Sequence, residues 1–208
     1  MTEYYLVRHG QTQAGAQGVV SGTLDTPLTY LNETGKAQMQ ALKQQLNLSG
    51  CQRIIASPLS RAQQAAELLN ATAQLPLDTD QRLQDISYGR WNGHTRKQLQ
   101  QTYPELFDPY SGEAYADYGI PAKGEVFSAV NDRLRSFMTE TTRRYPKAKL
   151  LVVTHGFIIQ ALAAAAVQAA TPLAFPQPAT GSVTQVVCSP DTMRQYLLNY
   201  NQRYGNQA

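Results

Sequence analysis

Short apolar runs of β-forming residues alternate with helical stretches along most of this chain, and that alternation is what most restricts its fold. Residues 4–7 read as a strand, and residues 33–46 as a helix with Met39, Leu42 and Leu46 at spacings of three and four. The order repeats with a β-rich run at 53–56 and an Ala/Gln/Leu helix at 60–73 that opens just after Pro58. A further amphipathic helix, 126–145, carries Val130, Leu134, Phe137 and Met138 on one side and ends before Pro146. Residues 150–153 are continuously apolar, as suits a strand covered on both faces, and an Ala-rich helix follows at 157–170. Runs at 183–188 and 194–200 flank Ser189-Pro190-Asp191, which predicts a terminal hairpin. Together these elements predict an α/β protein, three layers deep, with helices on both faces of a mainly parallel central sheet.

The 208 residues suit one domain, 1–208. The irregular stretch 85–123, where Tyr103, Tyr110, Tyr115 and Tyr118 are interleaved with Pro and Gly, is too long for an ordinary connection and suits a lid or insertion. The polar end, 204–208, is expected to fray. A net charge of +3 with no basic run or stripe argues against a nucleic-acid partner. Cys51 and Cys188 form no metal-binding spacing, which points to a reduced, cytoplasmic setting. A strand starting near residue 4 leaves no room for a cleavable signal. The longest apolar stretch, 157–170, is broken by Gln160 and Gln168 and is shorter than the roughly 20 residues of a membrane span. A soluble protein with no membrane partner is expected.

Two of the apolar strands end alike. Val7 is followed by Arg8-His9-Gly10, and Val153 by Thr154-His155-Gly156. Ligands of open α/β sheets collect beyond the carboxyl ends of the strands, so His9 and His155 can face one crevice across 146 positions of sequence. A third strand-to-helix turn, Ala56-Ser57-Pro58-Leu59-Ser60-Arg61-Ala62, brings Arg61 to the same edge. Guanidinium donors match phosphate oxygens in pairs, so Arg8 and Arg61 suit a dianionic phosphate group. A histidine with one unprotonated nitrogen can attack phosphorus, and nearby arginines help keep it neutral. Paired core histidines, or a metal held by His9, His155 and Asp85, are competing readings; the adjacent arginines would repel a cation.

These segments, with Gly22 to Thr29 and the Leu83-x-Asp85-x3-Gly89-x-Trp91-x-Gly93 pattern, resemble in order the motifs of the histidine phosphatase superfamily, in its phosphoglycerate mutase-like branch. The resemblance covers nearly the whole chain. It implies that His9 is the nucleophile, that Arg8, Arg61 and His155 form the phosphate pocket, and that Asp85 stands where the family usually has its glutamate acid. It also places Gln11, Thr12, Gly22, Thr23 and Glu125 among further phosphate or substrate contacts. Gly15 stands where many members have Asn, and Gly124-Glu125-Val126 where Gly-Glu-Ser is common.

The resemblance implies a metal-independent phosphomonoesterase, without cofactor, acting on small phosphorylated metabolites through a phosphohistidine. A phosphoglycerate mutase using the same intermediate, or a catalytically silent phosphate binder, are the alternatives. The 70 positions from Asp85 to His155 are fewer than expected of the mutases and include few basic residues before the next helix, which favours the phosphatase. Dimers are frequent in the family, so the resemblance makes a homodimer one possibility, but no sequence feature locates an interface and the oligomeric state stays open.

Overall fold

The computed structural model describes residues 1–204, so of the stretch 204–208 expected to fray all but Tyr204 falls outside the described residues. In chain order the elements are β1 (Thr2–Arg8), α1 (Gln13–Ala16), α2 (Glu33–Gln45), β2 (Cys51–Ala56), α3 (Ser60–Asn70) and β3 (Leu77–Thr79). There follow α4 (Arg96–Thr102), α5 (Gly119–Ala122), α6 (Phe127–Arg144), β4 (Lys149–Thr154), α7 (Gly156–Ala166), β5 (Val183–Cys188) and β6 (Gln195–Gln202). The strands form one sheet in the order β3-β2-β4-β1-β5-β6. The pairs among β1 to β4 are parallel, whereas β5 runs antiparallel to β1, and β6 pairs with it in the predicted hairpin.

Side chains alternate faces along a strand, and here each face has its own core. Tyr4 and Leu6 of β1, with Leu150 and Val152 of β4, pack with α6 and α7. Val7, Leu151 and Val153, with Ile54 and Ala56 of β2, pack with α2 and α3 on the other side. Burial on both faces explains why β4 is apolar without interruption. One polar tie crosses the first layer: the Tyr4 hydroxyl lies 2.8 and 2.7 Å from the hydroxyls of Thr141 and Thr142 on α6. Burial pushes this phenol up to about 12.

The stretch 85–123 has an aromatic centre. Trp91 stacks on Phe107 at 5.5 Å and on Tyr103 at 5.3 Å, with Tyr118 at 5.6 Å. These rings continue the α6/α7 core. Tyr118 is buried within it and Tyr110 is fully exposed, so the four tyrosines have no common role. Four short elements, β3, α1, α4 and α5, are not read from the sequence. Strand β3 has three residues, two of them exposed. Helix α4 begins with a capping box between Thr95 and Gln98 that the sequence does display.

Most of the longer helices follow their sequence signals. Asn32 caps α2 by accepting from the Gly35 N–H at 2.8 Å. Helix α6 lacks this. Its N-cap, Val126, has extended backbone angles and is half exposed, with no hydroxyl to offer. Val126→Ser is expected to supply the missing bond, adding about 1 kcal/mol, which for a chain of this size raises Tm by about 2–4 °C. Thermal unfolding followed by circular dichroism checks this; an unchanged or lowered Tm contradicts it.

Candidate active site

The site is built by register. Strands β1 and β4 are parallel neighbours with Arg8 aligned on Thr154, so the next residue of each, His9 and His155, come side by side. Their rings lie 5.1 Å apart at 66°. The His9 N–H extends the ladder by donating to the Thr154 carbonyl at 3.1 Å. Both turns that follow need glycine for close approach rather than for a positive φ. A Cβ on Gly10 would fall 2.3 Å from the Gly35 carbonyl oxygen of α2. One on Gly156 would fall 2.7 Å from Gln177 Cγ and 3.2 Å from Arg8 Cζ.

From the end of β2 comes Arg61, in the first turn of α3 and only 1 % exposed. Its Nη2 donates to the Gly22 carbonyl at 2.6 Å and to Asp85 Oδ2 at 3.3 Å, and its Nη1 to the Leu24 carbonyl at 3.0 Å. Asp85 is held from below. Thr154 Oγ1 donates to the Leu83 carbonyl at 2.8 Å, and Arg133 of α6 donates to the Gln84 carbonyl at 2.7 Å. Arg8 donates to the Pro178 carbonyl, while its Nε is buried with no partner among the described residues. Arg8, His9, Thr12, Gly15, Gly22, Arg61, Asp85, Tyr88, Arg96 and Gln177 are among the residues around a cavity of about 180 Å³.

The hydrogen bonds assign roles to the two rings. His9 Nδ1 lies 2.7 Å from the Gly10 carbonyl oxygen, which can only accept, so Nδ1 carries the proton and Nε2 keeps its lone pair. His155 Nε2 lies 2.7 Å from Ser57 Oγ, and its Nδ1, buried and unpartnered among the described residues, is 3.9 Å from Asp85 Oδ2. Burial, and then the charges of Arg61 and Arg8, hold His9 well below the ordinary imidazole value. Burial and Arg61, with His9 and Arg8, do the same to His155. Asp85 moves the other way: burial raises its carboxyl, against the pull of Arg61, the Ile86 N–H, Arg8 and Arg133. Among the described residues no three His, Cys, Asp or Glu side chains stand together as metal ligands would, and the positive charge at the cavity is guanidinium.

The structure therefore brings Arg8, His9, Arg61, Asp85 and His155 together, with Thr12 and Gly22 at the cavity wall. Thr12 also caps α1, its Oγ1 accepting from the Gly15 N–H at 3.0 Å. Three expected contacts lie elsewhere. The Gln11 side chain accepts from Asn32 Nδ2 at 2.9 Å, because the chain turns toward α2 at Gly10. Thr23 accepts from Asn92 Nδ2 at 3.3 Å. Glu125 is clamped by Arg133, with Nε–Oε1 2.8 Å and Nη2–Oε2 3.1 Å, so it supports the Asp85 segment from behind. Tyr88, Arg133 and Gln177 have no signal in the sequence. Ser57 has one, inside the turn that carries Arg61, and Arg96 is one of the few basic residues that the sequence shows before α6.

A mainly parallel sheet with two histidines, two arginines and a carboxyl gathered at its carboxyl edge defines an α/β enzyme of the phosphatase class. The chain belongs to the histidine phosphatase superfamily, whose branch 1 matches residues 4–201. It is similar to the adenosylcobalamin/α-ribazole phosphatase of Escherichia coli strain K12, with 31% identity over 160 residues, 77% of this chain and 76% of that one. The uncharacterized phosphatase PhoE of Bacillus subtilis strain 168 is 30% identical over 162 residues, 78% and 76% of the two chains. Among solved structures, Bacillus stearothermophilus YhfR superimposes with a TM-score of 0.85 at 26% identity, covering 97% of this chain and 98% of that one.

Buried neutral histidines leave a mark on stability. Between the folded and unfolded pKa values the unfolded chain binds a proton that native His9 does not, so this contribution is present above about pH 6.5 and is lost as pH falls. In His9→Asn the stability should therefore decline less steeply below pH 6.5 than in wild type, by up to about 1.4 kcal/mol per pH unit. Urea unfolding at several pH values reads the two slopes; equal slopes would contradict a neutral His9.

Proposed function

We propose that the protein is a metal-independent phosphomonoesterase that hydrolyses small phosphorylated metabolites through a phosphohistidine on His9. The observation that carries this reading is the Nδ1–H bond to the Gly10 carbonyl, which leaves Nε2 unprotonated beside two guanidinium groups. Nε2 attacks phosphorus, the bond from phosphorus to the ester oxygen breaks, and Asp85 gives that oxygen its proton. Asp85, now a carboxylate, takes a proton from water as the hydroxide displaces His9, releasing phosphate and restoring both groups. Arg8 and Arg61 offset the charge on the phosphoryl oxygens throughout, which is most of what such a transfer needs. His155, whose Nε2 is held by Ser57 and whose Nδ1 has no partner among the described residues, would donate from Nδ1 to the same group.

The opposed shifts favour this chemistry. An ordinary imidazole near 6.5 and an ordinary aspartate near 3.9 are almost never neutral and protonated together. Here burial lowers His9 and raises Asp85, widening the range in which the reacting pair coexists. A bound phosphate dianion adds negative charge beside Asp85 and pushes it up further.

Phosphate release from a panel of monoesters in EDTA tests this reading. Wild type is expected to keep its activity in EDTA and His9→Ala to lose it. Loss of activity in EDTA, or its survival in His9→Ala, would overturn the proposal. Asp85→Asn should lower kcat by about 10²–10⁴-fold. Activity in wild type should rise with pH through the lowered His9 ionisation and fall through the raised Asp85 one. The alkaline limb should be absent in Asp85→Asn, and its persistence there would remove Asp85 from the acid's role.

A further inference from the structure

Beyond the phosphate-holding arginines, the cavity wall carries a third guanidinium, Arg96, at the start of α4. Its nearest acidic partner is Glu113, with Nη1–Oε2 3.9 Å, and the same Nη1 donates to the Gly112 carbonyl at 2.6 Å. Glu113 is 8 % exposed, an unusual setting for a carboxylate. Its backbone is fixed from both sides. The Asp108 N–H donates to the Glu113 carbonyl at 2.8 Å, and the Glu113 N–H to Ser111 Oγ at 3.3 Å. The loop that carries it is itself closed by Asp108 Oδ1, which accepts from the N–H groups of Tyr110 and Ser111 at 3.1 and 2.6 Å. The segment thus holds a carboxyl against the one cation at the wall, among the described residues, that the phosphate site does not use.

The charges can be matched in turn. Arg61 faces Asp85, and a phosphate dianion meets Arg8 and Arg61 while Asp85 holds its proton. Arg96 faces Glu113. An ester carrying a second anionic group, a carboxylate or another phosphate, would find Arg96 already facing the Glu113 carboxyl, which burial raises and which Arg96 and Arg8 hold down. An ester of an uncharged alcohol meets no such opposition. We infer that Glu113 is a specificity-determining residue that makes this pocket select phosphate esters of uncharged alcohols over esters whose leaving group is itself an anion. This rests on the phosphomonoesterase reading and deepens it by naming the substrate class.

The test uses two esters that differ only in their far end, glycerol 3-phosphate with its hydroxymethyl group and 3-phosphoglycerate with its carboxylate. Their binding to the full-length His9→Ala protein, which leaves both intact, is measured by titration calorimetry. Glycerol 3-phosphate should bind at least about tenfold more tightly, the scale of one desolvated like-charge encounter. In His9→Ala/Glu113→Gln the gap should close to within about threefold, mainly by tighter binding of 3-phosphoglycerate, since Arg96 is then free. Adding Arg96→Gln to that pair should reopen the gap, a coupling that general damage to the fold would not produce.

Equal or tighter binding of 3-phosphoglycerate by His9→Ala overturns the inference by itself, whether or not Glu113→Gln folds. So does a gap that survives in a folded Glu113→Gln protein. Binding of neither ester would remove both this inference and the phosphate-ester site beneath it. Selective binding of glycerol 3-phosphate that closes with Glu113→Gln, without turnover by wild type, would overturn the hydrolytic reading and keep the inference.

Discussion

A guanidinium almost wholly removed from water is the constraint on which this site depends. Arg61 cannot shed its charge, and burying it uncompensated would cost several kcal/mol. The surrounding chain compensates it. The carbonyls of Gly22 and Leu24 and the carboxyl of Asp85 take its donors, which pulls the loop before α2 and the Asp85 segment onto one point at the end of β2. Gly22 can serve here because its φ of +46° turns the carbonyl inward, and a Cβ would strike Asn92 Oδ1. Burial lowers Arg61 and raises Asp85 together, since each would be easier to charge in water. A buried pair whose ionised form is only partly compensated is primed for an incoming anion that a protonated carboxyl can meet.

That compensation extends outward through backbone carbonyls. Arg133, on the far side of the Asp85 segment, donates to carbonyls of Arg82 and Gln84 and is itself fixed by Glu125. Thr154, one residue before His155, holds the Leu83 carbonyl. Asp85 and His155 are thereby tied to the same strand. A shift of β4 relative to β1 would move His155 and Asp85 together against His9, so the parallel register protects the distances that phosphoryl transfer needs.

Much of this was legible in the sequence because it is written in local pattern. Two apolar runs ending in His-Gly, and a strand-to-helix turn bearing Arg61, identify the sheet, its carboxyl edge and the residues that meet there. What was not legible arrives through irregular chain. Glu125 and Arg133 stand eight positions apart across the start of α6, outside the three- and four-residue spacings that make helical partners visible. Tyr88, Arg96 and Gln177 reach the cavity from loops or a short helix whose course is set by packing around Trp91 and by the turn before β5. Gln11 shows the converse. It sits two residues from His9, yet the tight contact of Gly10 on α2 sends its side chain to Asn32.

The division between legible and illegible residues follows their place in the fold. Arg8, His9 and His155 sit at strand ends and Arg61 in the first turn of the helix after β2, where the sheet fixes them. Arg96 and Glu113 sit in the irregular stretch 85–123, whose aromatic centre is held by stacked rings. The loop carrying Glu113 is closed by its own hydrogen bonds to Asp108. A change there can alter the charge at the cavity wall without disturbing Arg61, His9 or the strands behind them. The wall can therefore vary while the residues at the sheet edge stay in place, which is the arrangement expected where loops carry variation on a rigid scaffold.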